Sequence, residues 1–66
     1  MKVTLSAVNR MLKEKGVAER LHKGTDFFFF AGGDAGRWRQ SGVYVSRVDD
    51  LSLLEWWNER EALASE

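Results

Sequence analysis

The 66-residue chain has no cysteine, no proline, one histidine and one tyrosine, and it has no long apolar run. Each absence excludes something. Without cysteine there is no disulfide or thiolate–metal staple to support a small fold. His22 alone, with no second His and no Cys, cannot complete a zinc site. The opening stretch "MKVTLSAVNRMLKEKG" lacks both a signal-type h-region and a membrane span, so a soluble, cytoplasmic protein is expected. Neither sign of charge is in surplus, with ten basic against ten acidic residues, which argues against a protein that binds by neutralising phosphates.

What is present points to a folded domain. An apolar content of 44% excludes a disordered chain. A chain of this length buries only about 60% of its unfolded surface, so its core is small and residues 1–66 form one domain. The balanced charge is unevenly placed. Residues 1–24 hold six basic and two acidic groups, and residues 49–66 hold six acidic and one basic. Two solvated helix faces of opposite sign account for this, as would association through complementary ends.

Leu5, Val8, Met11 and Leu12 recur at helical spacing behind a Thr4 cap, which predicts a helix from Leu5 to about Lys15 ending at Gly16. "VAERLHKG" alternates weakly, Val17, Glu19 and Leu21 against Ala18, Arg20 and His22, and reads as an edge strand with a charged outer side. "KGTD" turns the chain, with Gly24 supplying positive φ where needed, into "FFFFA" as the central strand. Gly32 to Gly42 is a long loop for so small a domain and therefore a candidate functional loop. "VYVSRV", Val43 to Val48, predicts a third strand. A second helix starts at an S-x-x-E capping box, Ser52 and Glu55, with Asp49 and Asp50 near its positive end and Leu53, Trp56, Trp57 and Leu63 on one face.

The expected fold is α+β, in the order α-β-β-β-α, with a three-stranded antiparallel sheet and both helices packed on one face. Four consecutive phenylalanines then pose a problem. In a strand, Phe27 and Phe29 point one way and Phe28 and Phe30 the other, and two helices cover only one face. The spacing allows either parity. We take Phe28 and Phe30, beside Tyr44, as the open pair, with Phe27 and Phe29 as the other choice. Each Phe carries about 150–250 Å², so the open pair and a tyrosine reach the size of a patch that marks an interface.

No motif specifies a chemistry. "GGDAG" joins two strands and lacks the Lys-Ser/Thr and helix that a phosphate loop requires. The carboxylates fall on a helix start and its exposed side, and Ser41, Ser46 and Ser52 have no base partner. The expectation is a non-enzyme with no cofactor and no metal. The element order is also that of double-stranded-RNA-binding domains, but "DDLSLLE" at the second helix would repel phosphate. Open aromatics could stack single-stranded bases, so nucleic acid stays as an alternative partner.

The pattern "FFFFAGGDAGRWRQSGVYVSRVDDLSLLEWW" resembles a group of small proteins of proteobacterial phages, prophages and plasmids. The matching positions are Phe27 to Phe30, Gly32, Gly33, Asp34, Trp38, Val43, Tyr44, Val45, Leu51, Ser52, Leu53 and Trp56. Gly42 stands where a small hydroxyl residue is expected, and Trp57 where an aliphatic one is. The resemblance implies a mobile-element protein without catalytic residues. By analogy of lifestyle, such a protein binds and inhibits a host defence component. The expected partner is therefore a protein, either a second copy in a homodimer or a host protein. The contact residues are Phe28, Phe30 and Tyr44 on the sheet and Arg37, Trp38 and Arg39 in the loop. A structural subunit of a larger assembly is the remaining alternative.

Overall fold

The Thr4 hydroxyl accepts the Ala7 N–H at 3.1 Å and starts helix α1 (Leu5–Glu14) in a computed structural model that describes residues 2–66. The helix ends as its sequence predicts. Gly16 takes φ +80°, and the N–H groups of Gly16 and Val17 return to the carbonyls of Lys13 and Leu12, a Schellman closure. Val8 and Leu12 are fully buried, with Leu5 and Met11 half-buried beside them.

Strand β1 (Arg20–Lys23) pairs antiparallel with β2 (Phe28–Ala31), which pairs antiparallel with β3 (Gly42–Val43). The order in the sheet is β1-β2-β3. Helix α2 (Leu53–Ser65) follows the predicted capping box, in which Ser52 Oγ accepts the Glu55 N–H and Glu55 accepts the Ser52 N–H. The α-β-β-β-α order is as expected. All three strands are shorter than expected, β2 by Phe27 alone. Residues 17–19 lie outside β1, and β3 has only two residues, because after Tyr44 the chain turns into a short 3₁₀ segment, Val48–Asp50. There Asp50 accepts the Arg47 N–H, and Trp56 Nε1 donates to the Val48 carbonyl at 2.7 Å. The half-buried Val45 and Val48 thus pack on the core outside any ladder.

The core lies between the helices and one face of the sheet. Trp56, fully buried, meets Phe28 and Phe30 edge-on with ring centroids 5.7 and 6.4 Å apart. Leu21, Val43 and Leu63 complete the cluster. This corrects the assigned parity. Phe28 and Phe30 are 4% and 2% exposed and hold the core, so the open face belongs to Phe27 and Phe29. The alternation decides it: Leu21 and Val43, the apolar residues that pair with Phe30 and Phe28, share their side of the sheet.

Candidate functional site

Register places His22, Phe29 and Gly42 in one row on the open face, with Arg20 and Ala31 on the same face at the far end of the hairpin. Toward the turn the Gly24 N–H donates to the Phe27 carbonyl, and the Tyr44 ring, just past the end of β3, stacks on Phe27 in a grid with them. Four rings run through this grid without a break. His22 stacks on Phe29 at 5.5 Å and 21°, Phe29 meets Phe27 at 5.9 Å, and Phe27 stacks on Tyr44 at 5.6 Å and 29°. Tyr44 is 75% exposed, His22 is exposed, and the two phenylalanines are half-buried by one another and by the sheet.

The two glycines of the grid let these rings recline. A Cβ on Gly24 would stand 2.6 Å from the Phe27 ring, and one on Gly42 would stand 3.3 Å from the Tyr44 hydroxyl. Gly24 therefore serves by lacking a side chain. Its φ is not positive, contrary to the expectation for the turn. A glycine covered by a cross-strand aromatic is a known way to steady a sheet. Here the result is an aromatic face whose rings meet in two stacked pairs joined by a tilted one.

Of the proposed loop contacts, Arg37 and Arg39 are exposed and form no ion pair among the described residues. Trp38 is half-buried and turned inward, its ring 5.9 Å from Phe30 and 5.5 Å from the Arg60 guanidinium. It anchors the loop. Gly32 to Ser41 is correspondingly less open than a bare loop, holding a 3₁₀ turn at Ala35–Arg37 with Ala35 buried.

The anchor depends on a pair that the sequence reading missed. Glu19, placed in a charged edge strand, is 2% exposed. Its Oε1 accepts from Arg60 Nη2 at 2.7 Å and Nε at 3.0 Å, and its Oε2 accepts the Asp34 N–H at 3.0 Å. Arg60 lies between Trp38 and Trp57, 5.5 and 5.6 Å from their centroids. Burial pushes the Glu19 carboxyl up, but the Asp34 N–H and the Arg60 hydrogen bonds and charge outweigh it and hold the carboxyl below its ordinary range. Two signals pointed to this pair. Glu19 shares the parity of Leu21, and Arg60 is the one basic residue in 49–66.

Among the described residues, no group of three or more His, Cys, Asp or Glu stands together as a metal site, and no helix is long and apolar enough to cross a membrane. No family model matches the chain, nor does any curated protein or solved structure. The resemblance to phage and plasmid proteins therefore rests on the motif residues alone.

Proposed function

We propose that this is a non-enzymatic interaction protein that works by protein–protein contact through the open face of its sheet. The observation that carries this reading is the continuous row His22–Phe29–Phe27–Tyr44 on the side opposite both helices. An aromatic surface on a protein of this size is the kind that marks an interface. Arg37 and Arg39, exposed and without an ion pair among the described residues, are the loop side chains free to add to such a contact. The phage and plasmid resemblance supplies a setting, in which the protein occupies and inhibits a component of a bacterial host's defence.

Single-stranded nucleic acid is the second reading, favoured by rings that lie flat on an antiparallel sheet. Charge argues against it. Arg20 is the one Lys or Arg that register puts on this face, and its guanidinium turns back to the Val17 and Glu19 carbonyls at 2.8 and 2.7 Å. Phe27 and Phe29 also have ring neighbours on both sides, which leaves little π surface for a base.

A photo-crosslinking residue at position 44, compared with one at the equally accessible position 54, separates these readings. Leu54 is 68% exposed but lies on α2. A protein adduct formed from position 44 and not from 54 is expected. Adducts to nucleic acid alone, or equal yields from both sites, would sink the protein-contact reading.

A further inference from the structure

We infer that Asn9 is a lock on the free edge of β1, holding shut a strand-addition site that the fold would otherwise present. The inference concerns the edge of the sheet and is independent of what covers its face. Three features of the fold lead there.

The first is which backbone groups the edge turns outward. Alternate residues of an antiparallel strand direct their N–H and C=O to opposite sides. The Phe30 N–H donates to the Ser41 carbonyl, toward β3, so Leu21, its partner across the ladder, turns its own N–H and C=O away from β2. Among the described residues, no strand lies on that side of β1. Those two groups are what an added strand would take.

The second is what fills them. Asn9 Oδ1 accepts the Leu21 N–H at 2.6 Å, and Asn9 Nδ2 donates to the Leu21 carbonyl at 3.1 Å. One side-chain amide thus makes both hydrogen bonds that a neighbouring strand would make at this residue. Just upstream, Arg20 Nη1 donates to the Val17 and Glu19 carbonyls at 2.8 and 2.7 Å, which takes the next acceptors along the chain. Lys23, exposed at the other end of β1, carries a cation of the kind that blunts an edge. At the opposite margin β3 is two residues long, too short to template much pairing.

The third is what an open edge would join. β1 pairs with Phe28–Ala31, part of a run of four phenylalanines, and no proline interrupts the chain. Uncharged, β-prone runs of this kind stack strand on strand once an edge is bare. The strand admitted at an unlocked edge is β1 of a second copy, whose Leu21 turns the same two groups outward. Asn9 follows Val8, which is fully buried in the core between α1 and the sheet, so the lock closes only when the helix is docked.

Asn9→Ala in the intact chain tests this, with Ser52→Ala as a control that loses the cap of α2 and leaves the edge alone. In dilute Asn9→Ala, amide exchange at Leu21 should rise by about tenfold or more. Concentrated to about 1 mM, the same variant should form larger species that show the infrared band of intermolecular β-sheet. The wild-type chain and Ser52→Ala should show neither change. If Asn9→Ala fails to fold, Asn9→Leu, which fills the space without the hydrogen bonds, takes its place. Unchanged exchange at Leu21 would show that Asn9 does not hold the edge. Intermolecular sheet no greater than in the wild-type chain would show that nothing was locked. Equal amounts of that sheet in Asn9→Ala and Ser52→Ala would trace it to lost stability and overturn the inference.

Discussion

Within the run Phe27–Phe30, identical side chains have opposite fates, and the difference should be measurable. Phe28→Ala or Phe30→Ala removes a ring packed on Trp56 and should cost about 3–5 kcal/mol, enough to threaten a domain of ordinary margin. The double change Phe27→Ser and Phe29→Ser should leave the fold intact in urea denaturation and abolish association. The reverse pattern would restore the parity that we have corrected. Glu19 gives a second test. Arg60→Leu leaves the carboxylate buried and unpaired, which should cost about 3–5 kcal/mol in the same assay. Its pH dependence has a definite sign. The folded carboxyl binds its proton at lower pH than the unfolded one, so the unfolded state gains protons first as pH falls. The contribution is full above the ordinary glutamate range near about 4.3 and fades as pH drops through the lowered value. Glu19→Gln should be less stable at neutral pH and lack this component of acid sensitivity. An unchanged acid limb in that variant would place the titrating group elsewhere.

Among the elements, the helices were legible to within a residue or two because their signals are local. Thr4, Gly16, Ser52 and Glu55 act through their own or adjacent turns. Ser52→Ala should accordingly cost about 1 kcal/mol, read from the denaturation midpoint, and a neutral result would remove the capping box from the account. The strands were legible as runs but not in extent or parity. Pairing depends on what lies across the ladder, and neither Leu21 opposite Phe30 nor the early departure at Tyr44 is encoded in a window of neighbours. The Glu19–Arg60 contact spans 41 positions, and the parity that Glu19 shares with Leu21 marks it as inward-facing without naming its partner. Asn9 on the β1 edge escaped for the same reason. The loop shows how these contacts combine. Gly33 sits at φ +51°, and a Cβ there would overlap the Glu19 carboxylate oxygen. Gly33→Ala should therefore loosen the loop as well as strain it, raising amide exchange at Asp34 and exposing Trp38 to quenchers. Unaltered quenching would mean that Trp38 is held without Glu19.

At the scale of the molecule, the helical layer closes one side of the sheet, and nothing among the described residues closes the other. Cations on α1 and carboxylates on α2 lie in that helical layer, where Lys15 reaches Trp57 at 5.1 Å, and on the opposite face the Arg20 guanidinium is held by its own backbone carbonyls. The central claim is that a protein covers the Tyr44 side in the cell. Tyr44 is the only tyrosine, which makes it a clean reporter. Hydroxyl-radical footprinting read by mass spectrometry, with Trp57 as internal reference, compares its reactivity in the producing cell and in dilute purified protein. The account predicts that the Tyr44-to-Trp57 ratio falls in the cell for the wild-type chain and stays high for Phe29→Ser. An equal ratio in both settings for the wild-type chain would show the face uncovered and contradict the account.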